Sequence, residues 1–187
     1  MTQKFLILPG WRNSGPQHWQ SLWAQMPGFE RVQQHDWERP LRGDWIARLE
    51  DVLLQSTSPA VLVAHSLACL LVAAWAAHSR NTDLVKAAFL VAPADTCGTD
   101  LGALLPSWVP IAAEPLPFPS TVVASRNDPY CCFERAQAFA KAWGSDYVDA
   151  GAQGHLNADS NLAHWPQGQV WLAHLMARCQ MQPMCAL

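Results

Sequence analysis

Short apolar runs that are typical of β-strands alternate with helical patterns along the whole of this 187-residue chain. Parallel strands need long crossover connections, which are usually helices, so this alternation is typical of a parallel sheet. We therefore expect an α/β protein with a mostly parallel, six-stranded sheet and helices on both of its faces. The predicted strands are Phe5–Leu8, Arg31–Gln34, Val61–Ala64, Ala87–Val91, Thr121–Ala124 and Asp146–Val148.

Apolar residues at helical spacing predict the helices between these strands. A first helix is expected behind Pro16 and ends at Pro27, Asp44 is expected to cap a second, and a third follows Ser66 directly. The apolar stripes are Trp19, Leu22, Trp23 and Met26 in the first helix; Ile46, Leu49 and Leu53 in the second; Phe133, Ala136, Ala140 and Trp143 in the fourth; and Leu172, Leu175, Met176 and Cys179 in the last.

Length and composition favour a single globular domain over residues 1–180, followed by a flexible tail at 181–187. Half of the residues are hydrophobic, ten are tryptophan, and the formal net charge is -3. Lysine and arginine are few and scattered, which argues against nucleic-acid binding. The apolar run at residues 5–8 is too short for a signal peptide or a membrane span, so we expect a cytoplasmic protein without a membrane partner. The sequence leaves open whether the chain forms a homodimer.

The six cysteines, at positions 69, 97, 131, 132, 179 and 185, lack the tight spacing of a small disulfide-stabilised scaffold. Cys131 and Cys132 are adjacent, so they form neither a zinc knuckle nor a thioredoxin motif. We expect reduced thiols and no metal site.

The third strand turns into a helix at Ser66, in the sequence Ala64-His65-Ser66-Leu67-Ala68. This is the layout of a nucleophile elbow, a tight strand-to-helix turn that lifts a serine hydroxyl above the sheet. The usual pattern has glycine at both ends, so Ala64 and Ala68 are departures from it. Two methyl groups add little bulk, and we expect the elbow to form. Taken alone, Ser66 would be better interpreted as a structural serine in a strand-to-helix turn.

An acid and a histidine follow Ser66 on loops after later strands: Asp128 after the fifth and His155 after the sixth. The order Ser, Asp, His is that of the α/β-hydrolase triad. In such a triad His155 would accept the proton of Ser66, and Asp128 would orient the imidazole and stabilise its charged form. Asp95, after the fourth strand, is a rival acid. His65 is interpreted as a packing residue, because neighbours in a tight turn point away from each other.

Acyl transfer also needs two backbone N–H groups for the negative charge that develops on the substrate oxygen. Leu67 follows the nucleophile and is the first predicted donor. The second is expected in the loop after the first strand, Pro-Gly-Trp-Arg-Asn-Ser-Gly at 9–15. There Gly10 allows a close approach of the backbone, and Trp11 is the predicted donor.

The segment 95–119 is the one long interruption of the strand and helix pattern. It is too short for a second domain, but loops of that length are usually functional. It would leave the carboxyl end of the fourth strand, where open α/β sheets bind ligands. Its rings Trp108 and Phe118, together with Gly10, are predicted to line a pocket for modest, apolar acyl groups. Packing in the core is an equally good interpretation of both rings.

Four segments resemble the retinoblastoma-binding-protein-9-like serine hydrolases, which are small members of the α/β-hydrolase superfamily. They read LPGWRNSGPQHW (8–19), VAHSLAC (63–69), ASRNDPYC (124–131) and GHLNADSNLAHWPQG (154–168). The resemblance implies a Ser-Asp-His triad, which falls on Ser66, Asp128 and His155. It also implies no cofactor and a minimal three-layer α/β-hydrolase fold without a large lid. Similar sequences tend to carry glycine where this chain has Asn161 and Ala163.

Together these features predict a serine hydrolase that acts through an acyl-enzyme on a small-molecule ester or amide. A carboxylesterase acting on small esters is the preferred interpretation. One alternative is an amide or peptide hydrolase with the same triad. The other is a protein-binding module that keeps the fold without useful catalysis, since fold alone does not determine function.

Overall fold

The computed structural model describes residues 3–98 and 100–181. Within these ranges the strands are β1 Phe5–Leu8, β2 Phe29–Arg31, β3 Ala60–His65, β4 Val85–Val91, β5 Ser120–Ala124 and β6 Asp146–Asp149. They form one sheet in the order β2-β1-β3-β4-β5-β6. Each of its five pairings is parallel, so the predicted six-stranded parallel sheet is confirmed.

The helices connect these strands and bury their apolar faces against the sheet. In chain order they are α1 Trp19–Trp23, α2 Arg42–Leu54, α3 Leu67–His78, α4 Leu101–Leu104, α5 Phe133–Trp143 and α6 Pro166–Met181. Single 3₁₀ turns lie at Thr82–Leu84, Pro106–Trp108 and Ala158–Ser160. None of the helices among the described residues is long and apolar enough to cross a membrane.

Alternate residues along each central strand face opposite sides of the sheet and pack against different helices. On one side, Leu6 and Leu62 lie in a core shared with α2, α3 and α5. On the other side, Ile7 and Val63 lie in a core shared with α1 and α6. Because both faces are covered, the central strands are unbroken apolar runs, and the molecule has three layers.

Three of the predicted boundaries were wrong. The second strand lies at Phe29–Arg31 rather than Arg31–Gln34, because Phe29 pairs with Phe5 and stacks on its ring with centroids 4.4 Å apart. The helix α1 ends at Trp23, and its cap is the His18 side chain. Asp44 does not cap α2. That helix begins at Arg42, two residues before Asp44. Asp44 lies in its first turn, where the positive end of the helix dipole stabilises a carboxylate.

The described residues of the segment 95–119 include the short helix α4 and the 3₁₀ turn that follows it, and they form no lid domain. The five cysteines that the structure describes, at 69, 97, 131, 132 and 179, are free thiols. Cys185 and almost all of the predicted tail, residues 182–187, lie outside the described residues.

Candidate active site

Ser66 lies at the carboxyl end of β3, immediately before α3, in a backbone conformation that side chains rarely adopt. Its φ of 58° and ψ of -122° cost energy for any residue other than glycine. The turn is held by hydrogen bonds from the Ser66 N–H to the Val91 carbonyl oxygen, 2.9 Å, and from the Cys69 N–H to the Ser66 carbonyl oxygen, 3.0 Å. The sharp strand-to-helix turn expected of an elbow is therefore present.

The alanines that flank this turn are both fully buried in the core on the α3 side of the sheet. Ala64 is in β3 and Ala68 is in the first turn of α3. The turn at Ser66 accordingly forms with a methyl group at each of the two positions where the usual pattern has glycine.

The loops after β5 and β6 lie next to each other and are tied together by several hydrogen bonds. The Gln153 N–H donates to the Ser125 hydroxyl at 2.8 Å, and the Gly154 N–H donates to the Asn127 side-chain oxygen at 2.8 Å. The Arg126 N–H donates to the Gly151 carbonyl oxygen at 2.8 Å. These bonds fix the position of Asp128 and His155 relative to each other.

Ser66, His155 and Asp128 form a continuous hydrogen-bonded chain. His155 Nδ1 lies 2.9 Å from each carboxylate oxygen of Asp128, and His155 Nε2 lies 2.9 Å from the Ser66 hydroxyl oxygen. A carboxylate only accepts, so Nδ1 carries the proton and Nε2 is left to accept from Ser66. The Asp128 side chain is only 3% exposed, which excludes water from this bond.

Asp95, the rival acid, has a different set of partners. Its carboxylate contacts Arg135 Nε at 3.2 Å and accepts from the Cys97 N–H at 3.0 Å. Asp128 also accepts from the Tyr130 N–H, at 2.9 Å. Of the two candidate acids, Asp128 is therefore the one that the structure brings to His155.

Two side chains hold the backbone of the histidine loop. The buried His65 donates from Nε2 to the carbonyl oxygen of His155 at 2.9 Å, and the Trp19 indole donates to the carbonyl oxygen of Leu156 at 2.8 Å. His65 thus packs under the site, as the sequence predicts, but it also positions the His155 main chain. The residue spacing gave no signal for this second contact.

The loop after β1 lies directly against Ser66. A Cβ atom at Gly10 would lie 2.8 Å from the Ser66 Cβ and 3.3 Å from the Leu67 nitrogen. Leu67 is the first residue of α3, so its N–H has no acceptor within the helix. Among the hydrogen bonds of the described residues, the Trp11 backbone N–H has no acceptor either. Both predicted oxyanion donors are thus free for a substrate oxygen.

Replacement of Gly10 by alanine is expected to lower kcat for ester hydrolysis by about 10²- to 10³-fold, as does the loss of one oxyanion donor. The new methyl group would also lie 2.9 Å from the His65 carbonyl oxygen, so the loop must move away from Ser66. Steady-state kinetics would measure this. Gly15→Ala is the matched control in the same loop, because nothing lies within 4 Å of its Cβ position. Equal kcat values for both variants would contradict the prediction.

A cavity of about 250 Å³ opens above Ser66. Leu67, Leu101, Leu105 and Tyr130 contribute to its apolar wall, and the Tyr130 ring lies edge-on to His155, with centroids 4.6 Å apart. Arg12, Asn13, His18 and Asn157 are among the polar residues that line it.

Trp108 and Phe118 do not line this cavity, contrary to the prediction. The Trp108 ring is buried and donates from its indole to the Pro40 carbonyl oxygen at 2.9 Å, while Phe118 packs near Trp75. Both rings fill the core behind α2 and α3. The smaller Leu101 and Leu105 of the same segment face the cavity instead.

No group of three or more histidine, cysteine, aspartate or glutamate side chains in residues 3–98 and 100–181 is arranged to hold a metal ion.

A family model described as serine hydrolase matches residues 5–174 of the chain. The chain belongs to this family. No curated protein matches it. The narrower resemblance to the retinoblastoma-binding-protein-9-like members stays a prediction.

Solved structures similar to this serine hydrolase include a YdeN-like hydrolase from Pectobacterium atrosepticum, with 30% identity and a TM-score of 0.83 over 95% of this chain and 92% of that chain. The ydeN gene product of B. subtilis is 18% identical, with a TM-score of 0.73 over 94% of this chain and 100% of that one. An alpha/beta hydrolase enzyme from a lagoon-sediment metagenome is 12% identical, with a TM-score of 0.70 over 97% and 93%. The α/β-hydrolase fold is thereby confirmed.

Two positions at which the resemblance leads us to expect glycine have a left-handed backbone. Asn161 has a φ of 51° and Ala163 a φ of 50°, and both lie in the loop between the turn Ala158–Ser160 and α6. Glycine adopts this conformation at the least cost, which explains why it is common at such positions. Asparagine tolerates it better than alanine does.

The hydrolase buries two neutral histidines next to His155. Burial, with the proximity of His155 and the nearby charge of Arg31, lowers the pKa of His18 to about 3. Burial, with the proximity of His18 and His155, also holds the pKa of His65 well below its usual range. The rings of His18 and His65 lie 4.7 Å apart, so a charge on either would disfavour a charge on the other.

Mild acid is expected to destabilise the hydrolase before its carboxylates titrate. The unfolded chain binds a proton at each histidine below pH 6.5, while the folded chain keeps His18 and His65 neutral. The free energy of unfolding therefore keeps its full value above pH 6.5 and falls below that pH. The expected decrease is about 2 kcal/mol per histidine between pH 8 and pH 5. Urea unfolding at several pH values would measure the loss. In His18→Asn the decrease should be smaller by the contribution of one histidine. A free energy of unfolding that does not change between pH 8 and pH 5 would contradict the prediction.

Proposed function

We propose that this serine hydrolase is a carboxylesterase that acts on small-molecule esters through an acyl-enzyme at Ser66. The observation that supports it is the unbroken chain of 2.9 Å contacts from the Asp128 carboxylate through His155 to the Ser66 hydroxyl, beneath a small cavity. Such a chain supplies the positioned base that a serine hydroxyl needs to become a nucleophile.

In the acylation step the Ser66 oxygen attacks the ester carbonyl carbon, and its proton passes to His155 Nε2. The N–H groups of Leu67 and Trp11 receive the negative charge of the carbonyl oxygen. Asp128 stabilises the resulting imidazolium through Nδ1–H. When the carbon–oxygen bond breaks, His155 donates its proton to the leaving alcohol, and the acyl group remains on Ser66.

In the deacylation step water takes the place of the alcohol. His155 Nε2, which is neutral again, removes a proton from the water as it attacks the acyl carbon. Collapse of the second tetrahedral intermediate returns the proton to the Ser66 oxygen and releases the carboxylic acid. The two steps together consume one water and regenerate the site, and no cofactor takes part.

A fluorophosphonate probe tests the proposal directly, because it reacts covalently only with an activated serine. The native protein is expected to be labelled, and mass spectrometry should locate the phosphonate on Ser66. The variants Ser66→Ala and His155→Ala should not be labelled. A native protein that is folded but unlabelled would favour a binding module with a hydrolase fold.

The size of the cavity predicts a preference for short acyl chains. A volume of about 250 Å³ is at or below the lower end of common ligand pockets, so p-nitrophenyl acetate and butanoate should be hydrolysed at least about tenfold better than the dodecanoate in kcat/KM. The matched p-nitroanilides would separate an esterase from an amide hydrolase. Higher activity on the dodecanoate than on the butanoate would contradict the prediction.

The wall of the cavity offers a matched pair of variants for the same assay. Leu105→Ala removes side-chain atoms from the wall and so enlarges the cavity, and it should shift the preference toward esters with longer acyl chains. Leu104→Ala is the control, because Leu104 is 63% exposed and does not line the cavity.

The cytoplasmic location expected from the sequence remains a prediction.

A further inference from the structure

His18 is a buried histidine whose two ring nitrogens have different surroundings. Nδ1 accepts a hydrogen bond from the Gln20 N–H at 3.1 Å, as the cap of α1. A nitrogen that accepts cannot carry the proton, so the neutral ring has its proton on Nε2. Because Nδ1 faces the backbone of α1, the Nε2–H points away from that helix.

The Nε2–H of His18 is a buried donor without a partner among the described residues. The residue is 4% exposed and is part of the wall of the cavity above Ser66. A buried donor that lacks an acceptor is costly, and native proteins rarely keep one without a reason. A group that enters the cavity can remove this cost by supplying an acceptor.

The donor is held rigidly in place. Gln20 is fully buried, and its side-chain amide donates to the carbonyl oxygens of Leu8 and Val63, at 3.1 Å each, while it accepts from the Ser14 hydroxyl at 2.7 Å. The His18 ring is therefore anchored through α1 to the end of β1 and to β3. A fixed donor of this kind selects strongly between ligands that have an acceptor and ligands that lack one.

The charges around His18 favour an oxygen acceptor. Among the described residues that line the cavity, Arg12 is the only arginine or lysine, and there is no aspartate or glutamate. Arg31 lies close enough to lower the pKa of His18, and its three acceptors, on Asn13, Ser14 and Ser21, are neutral oxygen atoms. The positive charge of Arg31 is not cancelled by these contacts, and it favours a negative partial charge in the cavity.

We propose that His18 is a specificity-determining residue whose Nε2–H donates a hydrogen bond to an oxygen of the ester substrate other than its carbonyl oxygen. The substrate class is then small esters that carry an additional ether, keto or carboxylate oxygen, in preference to plain alkyl esters. The inference rests on the proposed esterase function and makes it narrower. His18 acts here as a neutral donor and takes no part in proton transfer.

The test compares isosteric esters in the native protein and in His18→Asn. Asparagine is a good cap for α1 but is too short to place a donor where Nε2 lies. A panel of p-nitrophenyl alkanoates is matched with esters in which one methylene is replaced by an ether oxygen, such as butanoate with methoxyacetate. Alkyl acetates with and without an ether oxygen in the alcohol group test whether the additional oxygen is recognised on the alcohol side of the ester.

We expect the native protein to prefer at least one oxygen-bearing ester, and His18→Asn to lose about tenfold or more of that preference. The intrinsic reactivity of the two esters cancels when the same pair is compared between the two proteins. Leu105→Ala, which enlarges the cavity at its apolar wall, is the matched control and should keep the preference. Ser66-dependent hydrolysis with the same preference in native protein and His18→Asn throughout the panel would overturn the proposal while leaving the esterase function intact.

A measurement on the native protein tests the proposal without any variant or turnover. In ¹⁵N-labelled protein the His18 signals should be those of a neutral ring with the proton on Nε2. N-methylmethoxyacetamide, an unreactive analogue, should shift this Nε2–H resonance more than N-methylbutanamide does. Equal shifts would count against the proposal, and absence of any Ser66 labelling would instead show that the esterase function is wrong.

Discussion

The variant Ser66→Ala is expected to hydrolyse p-nitrophenyl esters about 10⁵- to 10⁶-fold more slowly than the native protein, with little change in fold. Removal of the hydroxyl abolishes the acyl-enzyme route, and His155 then has no nucleophile to activate. The residual rate reflects only binding and the oxyanion donors. Single-turnover measurements on freshly purified variant would quantify it, and a kcat above 1% of the native value would contradict the prediction.

The serine-to-glycine variant provides a control that separates function from folding. Ser66 has a φ of 58°, which glycine adopts without strain. Ser66→Gly should therefore be inactive but at least as resistant to urea as Ser66→Ala. Strain at a residue that is dispensable for stability would fit a functional constraint on the turn. A Ser66→Gly variant that is less stable than Ser66→Ala would show that the backbone at this position is not strained for a residue with a side chain.

The second large effect is expected from Asp128→Asn, which should lower kcat by about 10⁴-fold. An amide can donate to Nδ1 of His155, which moves the histidine proton to Nε2 and leaves no acceptor for the Ser66 hydroxyl. Hydrogen bonding of Asp128 to the Tyr130 N–H can persist in the variant, so the loop should keep its position. The pH profile of kcat/KM is a useful second readout, because a purely structural loss would lower the profile without changing its shape.

Asp95→Asn is the matched control for this experiment. Asp95 is also a buried aspartate at the carboxyl end of the sheet, but its carboxylate contacts Arg135 and the Cys97 N–H. The variant is expected to lose stability, since one partner of a partly buried ion pair is neutralised, and to keep kcat within severalfold of the native value. If Asp95→Asn rather than Asp128→Asn abolished turnover, the assignment of the acid would be wrong.

The fold could be predicted from the sequence because a sheet covered on both faces needs strands that are apolar throughout. Val61–Ala64 and Ala87–Val91 are such runs, and both lie in central strands. The edge strand β2 could not be predicted as well. Its residues Phe29 and Arg31 are only partly buried, and Glu30 is exposed. Its register depends on the stacking of Phe29 on Phe5, a contact between residues distant in sequence.

The pocket was the least predictable part of the site. Large aromatic rings in a ligand loop suggest a lining, but Trp108 and Phe118 have more apolar area to bury and fill the core. Leu101 and Leu105 face the cavity, and nothing in their spacing distinguishes them from core residues. The place of His18 in the cavity wall likewise depends on the fold, and no residue spacing indicated it.

The sequence by itself determined the parallel α/β sheet, the turn at Ser66, and the order of a serine, an acid and a histidine on loops at one edge of that sheet. These features depend on local periodicity and on the rule that parallel strands end at the same edge. The tertiary structure decided which acid meets His155 and that His65 holds the backbone of that histidine. It also decided that His18 keeps, beside the cavity, a donor without a partner in the part of the chain that the structure describes. These are distances between side chains far apart in the chain, and such distances are set by how the helices and loops pack, which residue spacing does not encode.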